Sequence, residues 1–335
     1  MSEWSVSHFQ LRIKLREKHI KITLIDNPAA GDDSRPSCDQ IVRLIRAAGH
    51  KVNYQSSKEK KWKKALKKRC DLVAVAGGDG TVGKVARCLI GSRTPMAVLP
   101  MGTANNIASM LGLTGRALED LIKGWKTARC VNFDAGVAKG PWGSECFIEG
   151  VGVGLFAETI CRLDGGKIPD LAHSDDRKKV MRTALNILRN QLKNYPSKEM
   201  TVRLDGADIS GDYVLLEALN IRYIGPNLDL VPRADINDGL LDVVLVTKRE
   251  RAKLSKYLSN RIKRKNSRAN LTVRRGRHLQ IELKNSPIHI DDISWPKDED
   301  RTPLRSHAID IKIEPGALVF LTPVDQKRGR SRSRA

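Results

Sequence analysis

The chain has 335 residues, 40% hydrophobic and 29% charged, which is the composition of a globular protein long enough for two domains. No apolar run approaches the roughly 20 residues that span a bilayer, and residues 1–10 lack the basic start and apolar core of a secretory signal, so a cytoplasmic protein is expected. The net charge of +22 predicts a polyanionic partner, either nucleic acid or an anionic lipid surface, while the six scattered cysteines do not indicate zinc.

Strands and helices alternate through the first 130 residues. The patterns predict strands over residues 20–26, 51–54, 71–76 and 95–100, and helices over 39–48, 58–68 and 81–90. The unbroken apolar runs at 71–76 and 95–100 are typical of parallel strands that are buried on both faces. This alternation predicts an α/β fold with a parallel sheet.

Strand patterns dominate after about residue 131. They are predicted over 145–148, 200–204, 213–218, 241–247, 279–283, 288–291, 308–313 and 317–321, with one helix over 177–192. The sequence therefore predicts a nucleotide-binding α/β domain over 18–132, a β-rich domain over 133–324 and a basic, disordered tail over 325–335.

A glycine-rich turn follows the third predicted strand. Gly78, Gly80 and Gly83 satisfy GxGxxG, but no acid stands between Asp79 and Glu119 to hold the ribose of a dinucleotide. The same turn fits GxxxxGK, but the next residue is valine, where a P-loop needs serine or threonine for magnesium. Both patterns are excluded, which leaves another type of phosphate site or a tight turn without a ligand.

Two further polar loops follow strand ends, at residues 27–31 and 101–106. The carboxyl ends of neighbouring parallel strands meet at one edge of a sheet, where open α/β sheets bind ligands. We therefore expect all three loops to form one phosphate-binding edge.

These residues resemble the diacylglycerol kinase catalytic-domain family, which includes bacterial lipid kinases and sphingosine and ceramide kinases. The matching segments are NPAAG at 27–31, GGDGT at 77–81, LPMGTAN at 99–105, FIEGVGVG at 147–154 and NIRYIGPNLDLVPRADINDGLLDV at 220–243. GGDGT is shared with NAD kinases and phosphofructokinases. The pattern of Asn220, Gly225, Pro232, Ala234, Asp238, Gly239, Leu241 and Asp242 is far more specific.

The resemblance implies a Rossmann-like N-terminal domain, a β-sandwich C-terminal domain, and ATP bound between them with Mg²⁺. It implies transfer of the γ-phosphoryl group to a lipid hydroxyl, on diacylglycerol or a related lipid. The implied nucleotide contacts are Asn27, Pro28, Ala29, Ala30, Gly31, Ser56 (or Ser57), Gly77, Gly78, Asp79, Gly80, Thr81, Val82, Gly83, Gly102, Thr103 and Asn105. Asp79 would help hold the catalytic magnesium, and Asp235, Asp238 and Leu240 would form a structural magnesium site.

The catalytic base departs from the family pattern. The family carries it in an Asp-Gly-Glu turn after a late strand, and here that strand ends in Asp291, Asp292 and Ile293. Either aspartate is a candidate base, the alternative being that both only cap a turn. Asn106 also stands where the family usually has aspartate, which removes a charge from the magnesium network.

The resemblance implies that the basic segments at 58–69 and 248–277 bind an anionic membrane surface, because an enzyme that acts on membrane lipid must dock there. Solvated helix faces would explain the same segments. Three alternatives stay open: a catalytically impaired nucleotide- or lipid-binding regulator, an NAD kinase, and a nucleic-acid binder, although no recognised nucleic-acid motif is present.

Overall fold

A computed structural model describes residues 19–164, 176–284, 286–296 and 307–323. The first elements are β1 (Lys21–Asp26), α1 (Cys38–Ala47), β2 (Lys51–Ser56), a 3₁₀ helix (Trp62–Lys67), β3 (Leu72–Gly77), α2 (Asp79–Leu89), β4 (Met96–Pro100), α3 (Asn106–Met110) and α4 (Leu118–Gly124). The strands pair in parallel in the order β2, β1, β3, β4. Because β3 is buried along its whole length, its sequence is an uninterrupted run of small and apolar residues.

The next elements are β5 (Arg129–Gly140), β6 (Gly143–Phe147), β7 (Gly150–Gly154), α5 (Leu155–Asp164), α6 (Arg177–Asn194), β8 (Lys198–Leu204), β9 (Ala207–Asp208), β10 (Gly211–Leu219), β11 (Tyr223–Ile224), β12 (Leu228–Asp229) and β13 (Leu241–Thr247). A 3₁₀ turn (Lys248–Glu250), α7 (Arg251–Ile262), β14 (Thr272–Gly276), β15 (His278–Leu283), β16 (Ile288–Ile290), β17 (Ile293–Trp295) and β18 (His307–Thr322) follow. These strands pair antiparallel, with β10 between β7 and β13. One apolar core lies among them, and a second lies beneath α5, α6 and α7.

The last strand joins the two halves of the molecule. β18 pairs antiparallel with β15 and β5, and its end lies parallel to β4, where Phe320 is opposite Met96. The predicted boundary at residue 132 falls inside β5, so the backbone passes from one half to the other within a strand. The predicted fold class is confirmed, because a parallel α/β half is followed by a half that consists mainly of antiparallel strands.

Three predicted elements differ from the structure. Residues 58–68 form turns and a short 3₁₀ helix, because no side chain caps the N-terminus of the segment and only Ala65 in it is fully buried. The strands predicted over 308–313 and 317–321 are one strand, β18, with a register shift between Glu314 and Leu318. The predicted tail at 325–335 lies outside the described residues. Within the described residues, no helix is both long enough and apolar enough to cross a membrane.

Candidate active site

Three loops meet at one edge of the parallel sheet, as the sequence predicts. The side-chain amide of Asn27 donates to the Thr81 hydroxyl at 3.0 Å, which joins the first loop to the second. The backbone N–H of Met101 donates to the carbonyl of Gly77 at 3.0 Å, which joins the third. The edge is therefore a continuous surface of backbone and small polar side chains.

Glycines in these loops are required by close packing. A Cβ on Gly78 would lie 3.0 Å from Cα of Gly102, so the second and third loops touch backbone to backbone. A Cβ on Gly80 would occupy the space that the Asp292 carboxylate fills. The glycine-rich turn therefore has no room for side chains on the face that packs against the third loop and Asp292. Helix α2 begins at Asp79, within the same turn.

A small cavity of about 70 Å³ opens beside the first two loops. It is lined by Asn27, Ser57, Lys58, Trp62, Thr81, Lys84 and Val85. Of the two serines that the sequence left open, Ser57 lines this cavity, whereas the Ser56 hydroxyl accepts from the backbone N–H of Lys58 at 3.3 Å. The two lysines give the cavity the positive charge that phosphate or ribose oxygens favour.

Asp79 and Asn105 hold the third loop in place. The Asp79 carboxylate accepts from the backbone N–H groups of Asn106 and Ile107, at 2.9 and 3.0 Å. The Asn105 amide closes a ring with Gly102, accepting from its N–H at 2.9 Å and donating to its carbonyl at 2.7 Å. Burial raises the pKa of Asp79 above its ordinary value despite these donors, and the charge of Asp292 adds to the increase.

The carboxylate of Asp291, one of the two predicted bases, is bound by an arginine and by backbone N–H groups. Its carboxylate forms an ion pair with Arg87 at 2.8 Å and accepts from three consecutive backbone N–H groups, those of Ile148, Glu149 and Gly150, at 2.8–3.2 Å. Only 5% of its side chain is exposed. In this arrangement Asp291 fastens the turn between β16 and β17 to the residues that precede β7.

Glu149 lies next to the predicted catalytic residues. It is 8% exposed, and its carboxylate accepts from the Asn106 side-chain amide at 2.9 Å. Burial raises the pKa of Glu149 well above its ordinary value, and the charges of Asp79, Asp291 and Asp292 raise it further. An acidic side chain, that of Glu149, thus lies at hydrogen-bond distance from Asn106, the position where the family usually has aspartate.

A mainly apolar pocket of about 330 Å³ ends at these acids. Phe156 and Ile160 of α5 line one wall, and Met181, Ala184 and Leu188 of α6 line another. Asp79, Glu149, Asp291 and Asp292 lie at the polar end. A hydroxyl group on an apolar molecule that enters this pocket would meet carboxylates beside the glycine-rich loops.

The acidic side chains at the polar end are of the ligand type that magnesium prefers. Asp79, Glu149 and Asp292 are hard oxygen donors whose charges repel one another, and the nearby Arg87 is paired with Asp291. The buried Oδ1 of Asn106 has no hydrogen-bond partner among the described residues. Among the described residues, no group of three His, Cys, Asp or Glu side chains is close enough to coordinate a metal ion in this structure. Metal binding would therefore require these carboxylates to move closer together.

The predicted structural magnesium site contains a different cation. The Arg275 guanidinium binds the carboxylate of Asp238 and also that of Asp242, the latter at 3.1 Å. The other Asp238 oxygen accepts from the backbone N–H of Leu240 at 3.0 Å, and Asp235 accepts from that of Asn237 at 3.1 Å. Arg275 thus pairs with two acids of this loop but not with Asp235, and the metal site at Asp235, Asp238 and Leu240 stays a prediction.

A buried ion pair supports the turn that carries Asp291. Nε2 of His289 lies 2.7 Å from the Glu217 carboxylate, and both side chains are at most 1% exposed. Nδ1 of His289 lies 3.1 Å from the carbonyl of Asp291. Burial by itself would lower the pKa of His289, but the Glu217 charge and hydrogen bond raise it above its ordinary value.

Two models of known protein families match the chain. The diacylglycerol kinase catalytic domain matches residues 21–137, and the YegS C-terminal NAD kinase beta sandwich-like domain matches residues 173–322. The chain therefore contains a diacylglycerol kinase catalytic domain in its first half and a YegS-type C-terminal domain in its second. Both matched segments contribute to the pocket, since Asp79 lies in the first and Met181 and Asp292 lie in the second.

Individual relatives of this chain are distant. A diacylglycerol kinase of Bacillus subtilis is 26% identical over 243 residues, which cover 67% of this chain and 73% of that protein. A diacylglycerol kinase of Mycobacterium tuberculosis is 25% identical over 306 residues, covering 83% and 87%. The crystal structure of a diacylglycerol kinase from Bacillus anthracis has a TM-score of 0.65 at 20% identity, covering 90% of this chain and 96% of that one.

The sequence analysis does not identify Glu149 and Arg87 as parts of this candidate site. A signal for Glu149 was present, because it is a single acid inside the glycine-rich apolar run at 147–154. Buried carboxylates are rare unless they are paired or functional. Arg87 gave no such signal, since an arginine on a helix is normally a solvated residue.

Proposed function

We propose that this protein transfers the γ-phosphoryl group of ATP to a hydroxyl group of a lipid, either diacylglycerol or a related lipid. The observation that supports this most directly is the apolar pocket between α5 and α6, which ends at carboxylates beside the phosphate-binding loops. Membership of a family of kinases supports the phosphoryl transfer, and the names of the relatives suggest the lipid.

The residues of this chain suit three tasks in that reaction. Lys84 and the backbone N–H groups of the glycine-rich turn would bind and orient the phosphates of ATP. The walls of the pocket would exclude water and direct the acceptor hydroxyl to its polar end. A carboxylate at that end, Glu149 or Asp292, would accept the hydroxyl proton.

In the transfer, a bond forms between the acceptor oxygen and the γ-phosphorus, and the bond from that phosphorus to the bridging oxygen of ADP breaks. The hydroxyl proton moves to the carboxylate, and ADP leaves. Asp79 and Asp292 would hold magnesium, which when bound neutralises phosphate charge.

Labelled ATP tests the proposal. The protein is incubated with diacylglycerol, monoacylglycerol, sphingosine, ceramide, phosphatidylglycerol and NAD, each in neutral detergent micelles. Transfer to at least one lipid is expected, and Asp79→Asn should abolish it. Asp212→Asn, an exposed carboxylate on β10, is the matched control and should retain it. Transfer to NAD alone would identify an NAD kinase, and ATP binding without transfer would favour a regulator.

A further inference from the structure

Three residues lie side by side on neighbouring strands of the second half. Strand β7 lies between β10 and β16, and Gly152 of β7 is opposite Glu217 on one side and His289 on the other. Residues that are paired directly across strands point their side chains to the same face of the sheet. The glutamate and the histidine therefore share one face, and the glycine lies between them.

Gly152 leaves the space in which the two side chains meet. Strands β10 and β16 are two strand spacings apart, or about 10 Å, so each side chain has to extend across β7. Oε2 of Glu217 reaches Nε2 of His289 at 2.7 Å, and a Cβ on Gly152 would overlap the Glu217 carboxylate. We call Glu217, Gly152 and His289 the cross-strand bridge.

The histidine of the cross-strand bridge takes part in two hydrogen bonds. A carbonyl can only accept, so Nδ1 of His289 carries the hydrogen in its 3.1 Å contact with the carbonyl of Asp291. A second proton lies between Nε2 and the Glu217 carboxylate, because two acceptors would repel each other at 2.7 Å. Both side chains are fully buried, so water does not compete for either bond. His289 therefore connects β10 to the turn after β16.

The turn after β16 needs this support. Its first residue, Asp291, has a φ of 51°, in the left-handed region that residues other than glycine adopt at a cost. Strand β16 has only three residues, and its partner β17 is equally short. His289 holds the carbonyl of Asp291, while the N–H of Asp291 donates to the carbonyl of Gly150 at 2.8 Å. These bonds set the direction in which the chain continues to Asp292, which lies against Gly80.

We propose that Glu217 and His289 are positioning residues for the phosphoryl transfer. The cross-strand bridge fixes β7, which follows Glu149, relative to the end of β16, which precedes Asp292. These two acids are the candidate acceptors of the hydroxyl proton. The proposal rests on the proposed kinase function and gives a role to two buried polar groups that the transfer itself does not use. Since neither residue lies in the phosphate-binding loops, their loss should lower kcat without changing the KM for ATP.

The main variant is Glu217→Leu with His289→Leu, which removes the bridge and leaves no buried charge without a partner. We expect its kcat for a lipid acceptor to fall about 10–100-fold at an unchanged KM for ATP, because a small displacement of catalytic groups has an effect of that size. Glu217→Gln is the conservative variant. Its amide can donate to Nε2 of His289 while Nδ1 still donates to Asp291, so it should recover most of the kcat that the double variant loses.

Two more variants separate positioning from stability. Gly152→Ala places a methyl group where the Glu217 carboxylate lies, so it displaces the bridge without changing the glutamate or the histidine and should lower kcat in the same way. It replaces the double variant if that protein does not fold. Val246→Ala, in β13, truncates a fully buried side chain outside the apolar pocket. It should lose stability but keep its kcat.

Amide hydrogen exchange, measured by mass spectrometry without ATP or lipid, reports whether the turn moves. The N–H of Asp291 donates to the Gly150 carbonyl, and that of Glu149 donates to the Asp291 carboxylate, each at 2.8 Å. In the double variant, peptides that cover residues 147–154 and 288–293 should exchange at least about tenfold faster relative to those that cover β15, as expected for the loss of about one hydrogen bond. In Val246→Ala this ratio should stay unchanged.

Several results would overturn the proposal. A wild-type kcat in the double variant would do so, as would an equal loss of kcat in Val246→Ala. An equal loss in Glu217→Gln would assign the effect to charge, and a raised KM for ATP at an unchanged kcat would assign it to nucleotide binding. If the wild-type protein phosphorylates no lipid, the kinase function fails, and the exchange ratio decides the bridge separately. A raised ratio only in the variants that break the bridge supports its role in holding the turn, and an unchanged ratio overturns it.

Discussion

Replacing Glu149 with glutamine should stabilise this protein and inactivate it. The glutamine has the same shape, and its oxygen can still accept the 2.9 Å hydrogen bond from Asn106. The substitution removes a buried negative charge that is repelled by Asp79, Asp291 and Asp292. We expect the free energy of unfolding to rise by about 0.5–2 kcal/mol, as is common when a strained functional group is removed. Each 1 kcal/mol corresponds to roughly 2–4 °C in the thermal midpoint.

The gain in stability should depend on pH. Below the ordinary glutamate pKa of 4.5 the carboxyl is protonated in both folded and unfolded protein, so ionisation costs nothing. As the pH rises toward the raised pKa of folded Glu149, the unfolded protein releases its proton more readily and wild-type stability falls. The variant lacks this contribution. Its advantage should therefore grow with pH, as measured by thermal unfolding without magnesium or nucleotide.

The same variant should lose phosphoryl transfer by about 10²–10⁴-fold if Glu149 accepts the hydroxyl proton. Glu145→Gln, which removes an exposed carboxylate from the adjacent strand β6, is the control and should change neither property. A destabilised variant would refute the reasoning about charge repulsion. A stabilised variant with wild-type activity would exclude Glu149 as the base and leave Asp292.

Three further substitutions test the surroundings of the site. Gly80→Ala places a methyl group where the Asp292 carboxylate lies and should lower kcat/KM for ATP about tenfold or more. The control is Gly124→Ala, whose added methyl group meets nothing within 4 Å and should leave kcat/KM unchanged. His289→Ala leaves the Glu217 carboxylate buried without its partner and should lower the free energy of unfolding by about 3–5 kcal/mol. The double variant Glu217→Leu with His289→Leu should lose less stability than His289→Ala. A larger loss in the double variant would show that the two side chains are not coupled. Arg275→Ala removes the cation between Asp238 and Asp242, and thermal unfolding should show a loss of only about 1 kcal/mol because the Arg275 side chain is 45% exposed. Added magnesium should stabilise Arg275→Ala more than the wild-type protein or the neighbouring control Arg274→Ala, and equal effects would contradict the role given to Arg275.

The sequence predicts the local elements of the first half well because their signals are local. The apolar run of β3 and the glycines that follow it determine a buried strand and a tight turn within a few residues. The order of strand ends predicts that residues 27–31, 77–83 and 101–105 converge, since parallel pairing allows little else. Segments without such signals are not predicted. The sequence shows α7 only as part of a basic segment and β7 only as part of a glycine-rich run.

The sequence alone predicted the edge where the three loops meet and the family that the chain resembles. It did not determine which acid serves the acceptor, because Asp291 and Asp292 are adjacent and chemically identical. Only the tertiary structure separated them: Asp291 is held by Arg87, 204 residues away, and by the backbone before β7, whereas Asp292 lies against Gly80. The same long-range packing brought Glu149 to Asn106. Burial and charge at these positions depend on contacts between distant segments, which no local pattern contains.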